Sequence, residues 1–205
     1  MRAWVVVAIT LLYTELEAQA RPDCGGEARE LRTYLTREAT KAETWNTVWA
    51  LSFAAATLGQ VLLAHEEVAL VGEFDAAYRE QTYVGALKAS LGLGARLVFP
   101  LRLHVPEPAS EACEDVRRLR KAIATAGTKE RKAMWLTIIG GTIVNLSGAI
   151  WLWVRHDFKT AATSFLVGAP VGPIGALTQP RNAMKLSKRK RVEWTAGIGW
   201  IGGTF

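Results

Sequence analysis

Residues 134–154, MWLTIIGGTIVNLSGAIWLWV, run for 21 positions without one charged side chain. As a helix this stretch rises about 30 Å, the thickness of a bilayer's hydrocarbon core. Trp135 lies at one end, with Trp151 and Trp153 at the other. Indole rings favour the two membrane boundaries, so the segment reads as a membrane helix with an aromatic belt at each end. Gly140, Gly141, Ser147 and Gly148 offer small surfaces for a neighbouring helix, and Asn145 is a lone polar group suited to an interhelical hydrogen bond. The alternative is the core helix of a soluble bundle, in which an Asn is equally at home.

Two further segments set the architecture. Residues 27–43, EARELRTYLTREATKAE, are charged and helix-prone, with Leu31, Tyr34 and Leu35 at helical spacing. They run without a breaker into the uncharged 44–64, which carries Trp45 and Trp49 near its start. An acidic connection follows at 65–81, with a break expected at Gly72. The next apolar segment, 82–103, contains Lys88 and Arg96, and its Ala86, Ser90 and Gly94 form a stripe of small residues four apart. Pro100, Pro106 and Pro108 end it. A second charged stretch, 110–133, then leads into 134–154, with Ser110 as the expected N-cap. The expectation for 21–159 is a mainly α fold: a bundle of three long apolar helices with charged extensions.

The last third differs. Residues 160–180 are uncharged, but Pro170 and Pro173 sit inside them. Read with period two, Phe165, Val167, Ala169 and Val171 share one face, and Val192, Trp194, Ala196, Ile198 and Trp200 share another. Two such runs around a basic link at 181–191 read as a C-terminal β-hairpin over 160–205. The alternative is a kinked fourth helix over 160–178 followed by a tail.

The N-terminus has the parts of a secretory signal peptide, 1–20: Arg2, an apolar stretch Ala3–Tyr13, and Ala18-Gln19-Ala20 as the cleavage site. Cys24 and Cys113 are the two cysteines. In an exported chain, two is the number for one disulfide. The net charge of +6 comes in blocks beside the apolar segments. It suits anionic headgroups and solubility, and no nucleic-acid module signature accompanies it. If the apolar helices span the inner membrane, cleavage at residue 20 places 27–43 and 110–133 on its outer side. The rule that basic loops stay inside places them the other way.

No motif for chemistry emerges. His65, His104 and His156 are scattered, and HEEVA at 65–69 lacks the second His of a zinc protease motif. His156-Asp157 reads as an interfacial cap. No phosphate-binding loop and no nucleophile elbow is present. The expectation is no enzyme, with no catalytic, cofactor-binding or metal-binding residues.

The helix with Trp45, Trp49 and Gln60, the stretch YVGALKASLG at 83–92, Pro100, TQP at 178–180 and the glycine-rich end with Phe205 together resemble uncharacterised exported membrane proteins of Gram-negative bacteria. The resemblance implies a place in the cell envelope, in the inner or outer membrane, and no particular activity. The reading is an exported, membrane-associated protein with a structural or interaction role. Its partners are membrane lipid and either a second copy or another protein, with no nucleic acid. Two alternatives are a soluble periplasmic helical bundle binding an apolar ligand, and a transporter or channel subunit with Lys88, Arg96 and Asn145 along its path.

Overall fold

The computed structural model describes residues 23–65, 76–189, 193–197 and 200–204. The expected signal peptide and the break at Gly72 lie outside these. The helices are α1 (Cys24–Ala64), α2 (Ala76–Val98), α3 (Ala112–Arg155), α4 (Phe158–Gly168), α5 (Val171–Thr178) and α6 (Asn182–Arg189).

Two of these are far longer than a membrane needs. α1 has 41 residues and α3 has 44, so each is more than 60 Å long, about twice the hydrocarbon thickness. Nothing in either sequence interrupts the passage from charged to apolar half. Asp23 starts α1, its side chain accepting from the Gly26 N–H at 2.9 Å. α3 begins later than the expected Ser110 cap, with Glu111 in the N-cap position and no side-chain cap bond. The carboxylate that closes this turn is Asp115, whose Oδ1 accepts from the Ala109 N–H at 3.2 Å.

α1 and α3 run parallel, starting side by side. Cys24 and Cys113 are disulfide-bonded, with Cα atoms 5.0 Å apart. Below this clamp, Arg32 donates to Asp115 at 2.8 Å and to the Pro106 carbonyl, and Arg120 reaches Glu27. The charged halves form a stalk with its own core of Ala28, Leu35, Val116, Leu119, Ile123, Ala126 and Ala183. The spacing is that of a coiled coil. Ala28, Leu31, Leu35, Glu38, Ala42 and Trp45 follow one another by three and four residues, as do Val116, Leu119, Ile123, Ala126, Glu130 and Ala133.

α2 returns against α1. The chain then climbs the stalk as an extended strap, 99–111, which Pro100, Pro106 and Pro108 keep from being helical. The amide of Asn46 pins its start, donating to the Leu101 carbonyl at 2.9 Å and accepting its N–H at 3.1 Å.

The hairpin expected from the runs at 160–180 and 192–205 is not formed. Residues 160–178 are helical, as α4 and α5, and return along α3. Pro170 holds the N-cap position of α5 and Pro173 lies in its first turn. There a helix leaves its N–H groups unpaired, so neither proline removes a bond. The kinked fourth helix is therefore the form adopted. α6 continues up the stalk and places Ala183 in its core.

Among the described residues three helical stretches are long and apolar enough to cross a membrane: α1, α3, and α4 with α5 together, Phe158–Thr178. α2 is not one of them, because Arg79, Glu80, Lys88 and Arg96 interrupt it.

Candidate functional site

Four chain segments share two polar levels, and the apolar lengths lie between them. At the stalk-side level, the indole N–H groups of Trp45 and Trp49 both donate to Thr178 Oγ1, at 3.2 and 3.1 Å. The Arg96 guanidinium stacks on Trp45, 4.1 Å from the ring centroid, and donates to Thr137 Oγ1 at 3.1 Å. Trp45, expected at the boundary facing lipid, is thus turned inward and only 6% exposed. A guanidinium left at the end of an apolar segment needs an electron-rich face, and an indole supplies it. At the opposite level, Glu80 gathers three donors from the end of α3. Trp151 Nε1 lies at 2.9 Å, Arg155 Nε at 3.2 Å and His156 Nε2 at 2.8 Å. The expected cap is present too: Asp157 accepts from the Thr160 N–H at 2.7 Å and starts α4.

Midway between the levels sits Lys88. Its Nζ donates to Asn145 Oδ1 and Ser164 Oγ, each at 2.9 Å, and Asn145 Nδ2 donates to the Phe165 carbonyl at 2.9 Å. One ammonium therefore ties α2, α3 and α4 together. Room for it comes from glycine: a Cβ on Gly148 would collide with the Lys88 side chain, and one on Gly168 with Asn145. Among the described residues no carboxylate pairs with Lys88 or Arg96.

The small residues singled out from sequence are placed differently from one another. Ala86 is buried. Ser90 is exposed and donates to the Ala86 carbonyl at 2.9 Å. A Cβ on Gly94 would meet nothing within 4 Å. The close approach of α2 to α1 is at Gly85, over Gln60, and at Gly92, where a Cβ would stand 2.6 Å from Phe53. On α3, Gly141 faces Gly172 of α5, and a Cβ there would lie 3.3 Å from the Gly172 Cα.

One cluster went unnoticed in the sequence. Glu38 and Glu130, 1% and 0% exposed, occupy seam positions of the stalk. Glu38 Oε1 accepts from Lys41 Nζ at 2.7 Å and Asn182 Nδ2 at 3.0 Å. Glu130 Oε2 accepts from the Met184 N–H at 2.7 Å, and the Gln179 amide donates to the Glu130 carbonyl at 2.6 Å. Burial pushes the Glu130 carboxyl up to about 7. Burial, with the two carboxylates beside it, pushes the Tyr34 phenol up to about 12. The signal was available as a three-four apolar spacing broken at Glu38 and Glu130, but the surrounding charge masks it.

No family model, no curated protein and no solved structure matches this chain.

Proposed function

We propose that this is an exported membrane protein of the cell envelope whose task is to hold a rigid, charged stalk above the bilayer as an interaction surface. One observation carries the reading: α1 and α3 are each continuous through an apolar half and a charged half, and their charged ends are clamped by a disulfide. The apolar halves are bare. Only 6% of the most apolar window of α1 and 11% of that of α3 is buried. Val154, Phe99, Val167 and Leu51 stand largely exposed. A soluble bundle pairs such faces with each other, and a water-facing patch of this extent is rare. Lipid covers them at no cost. On α3, Arg131 and Lys132 sit at the stalk-side boundary above Trp135, Leu136, Ile139 and Ile143, the order that matches a phosphate headgroup above acyl chains.

Export rests on the N-terminal segment and on the disulfide, which persists in an oxidising compartment. The resemblance to Gram-negative exported membrane proteins belongs to the same proposal. So does the terminal run, in which Glu193–Gly197 pairs antiparallel with Trp200–Thr204, Trp194 opposite Gly203, as a short β element beyond α6.

The transporter reading has one observation in its favour, the two cations at membrane depth without a carboxylate. Lys88 bonds Asn145 and Ser164 and Arg96 bonds Thr137, each across helices, which suits a packing role better than a path. Carbonate extraction tests the main proposal. The protein is expected in the membrane pellet, with the stalk cut by protease added to spheroplasts. Full release into the supernatant refutes membrane insertion, and a stalk protected in intact spheroplasts refutes export.

A further inference from the structure

We infer that Tyr34, Glu38, Glu130 and Gln179 form a site in the stalk for a hard divalent cation, of which calcium is the fitting example. Four oxygens at the α1–α3 seam are closed to solvent and lack any hydrogen-bond partner: Tyr34 Oη, Glu38 Oε2, Glu130 Oε1 and Gln179 Oε1. Buried polar atoms are almost always paired, and an unpaired one costs about 1–3 kcal/mol. Tyr34, Glu38 and Glu130 lie within one another's electrostatic reach, and the Gln179 amide is bonded to the Glu130 carbonyl, so one partner placed among them would serve all four.

The chemistry of that partner follows from the set. All four atoms have lone pairs to give. Two belong to carboxylates, one to an amide and one to a phenol. There is no sulfur and no imidazole, so soft metals and zinc are disfavoured and an oxygen-seeking cation fits. Among the described residues no three His, Cys, Asp or Glu side chains cluster for a metal, so this site draws on neutral oxygens as well. The other oxygen of each carboxylate is already fixed, on Lys41 and Asn182 for Glu38 and on the Met184 N–H for Glu130. Each side chain therefore has one oxygen held and one free. Gln179 is independent of the acidic pair. It is 3% exposed, its Nε2 is committed to the Glu130 carbonyl, and only its Oε1 remains. Glu38 from α1 and Glu130 from α3 bring negative charge to the site and Lys41 from α1 positive charge, while the Tyr34 phenol stays neutral. Lys41 is half exposed and neutralises one carboxylate in part. That argues for modest affinity, of the order of 0.1–1 mM as in extracellular calcium modules.

Glu38 and Glu130 each hold the start of α6 with one oxygen, through Asn182 and the Met184 N–H, and a cation would take the other. With a cation between them, α1, α3 and the 179–184 segment are cross-linked at the foot of the stalk. The cation sets how stiffly the stalk stands on the membrane body.

The test uses the full mature protein in detergent micelles, disulfide intact, stripped with EDTA and held at pH 8. Terbium luminescence excited through aromatic side chains reports binding, and calcium displaces it. The expected result is saturable binding, with a melting temperature several degrees higher in 5 mM calcium than in EDTA. Glu130→Gln is expected to lower calcium affinity at least tenfold while melting in EDTA no earlier than wild type, which separates loss of the site from misfolding. Lowering the pH to 5.5 protonates Glu130 and should weaken binding in wild type. An unchanged melting temperature in 5 mM calcium overturns the site, as does Glu130→Gln and Glu38→Gln binding terbium as wild type does.

Discussion

Removing the clamp at the tip of the stalk should destabilise the protein by an amount that chain statistics fix. Cys24 and Cys113 are 89 residues apart in sequence. Opening a loop of that length releases about 4–5 kcal/mol of chain entropy in a coil-like unfolded state. If the apolar halves stay in the bilayer when the stalk opens, the slack is only the two charged halves, on the order of 40 residues. Because the dependence is logarithmic, the figure falls only to about 4 kcal/mol. Both reference states give nearly the same answer, which makes the prediction robust to the membrane reading. For a chain of this size about 4 kcal/mol corresponds to roughly 10 °C in melting temperature. The double variant Cys24→Ser with Cys113→Ser, followed by far-UV circular dichroism in micelles, is expected to melt that much earlier. Protease should also nick residues 24–43 faster. Each single variant should lose as much as the double. A double variant melting within about 2 °C of wild type would refute a stalk whose two helices begin side by side. Two alkylatable thiols in the unreduced, denatured protein would refute the bond itself.

Three other outcomes follow from the packing. Glu130 has a folded value near 7 against an ordinary 4.5. The folded protein therefore holds this proton more tightly than the unfolded chain. Stability from Glu130 is present below about 4.5 and lost as pH rises through 7, a fall of roughly 1–3 kcal/mol. In EDTA, chemical denaturation from pH 5 to pH 8 should show that fall in wild type and a smaller one in Glu130→Gln. Asn145→Ala removes one of the two acceptors of Lys88 and the donor to the Phe165 carbonyl, and should cost about 1–2 kcal/mol in an SDS unfolding titration. Gly141→Leu pushes a side chain against the Gly172 backbone and should cost about 1–3 kcal/mol. Gly94→Leu, with open space around it, should leave the same titration unchanged.

The apolar lengths were legible in the sequence because a membrane span is a local property, written in some twenty consecutive residues. The disulfide was legible from the count of cysteines. The inward turn of Trp45 was not. Whether an indole faces lipid or a guanidinium depends on Arg96, a quarter of the chain away. The small-residue stripe shows the same limit. Ala86, Ser90 and Gly94 share a spacing, but which glycine meets a neighbour is set by Phe53 and Gln60 on α1. Residues 160–178 misled for a different reason. Alternation of glycine with large apolar residues imitates a strand, and the prolines seemed to bar a helix. They bar only its interior, and a helix restarted at Pro170 places both where no N–H is needed.

Parallel α1 and α3 sharpen the conflict between charge and export, because they put the disulfide and the basic segments at one end. No rearrangement of the connections separates them. If basic loops alone decided orientation, Cys24 and Cys113 would lie in a reducing compartment, where a disulfide does not persist. Four of the stalk cations are held in ion pairs rather than forming a loose flank of the kind the rule describes. Arg32 is bound to Asp115, Lys41 to Glu38, Arg118 to Glu114 and Arg120 to Glu27. Two of these pairs join α1 to its neighbour α3 rather than lying along one helix. Pairing of this kind is a property of the assembled stalk, and it gives these cations a use that is independent of membrane orientation. The charge pattern then answers to the needs of the stalk, and the disulfide is compatible with the oxidising compartment that the proposed export would give it.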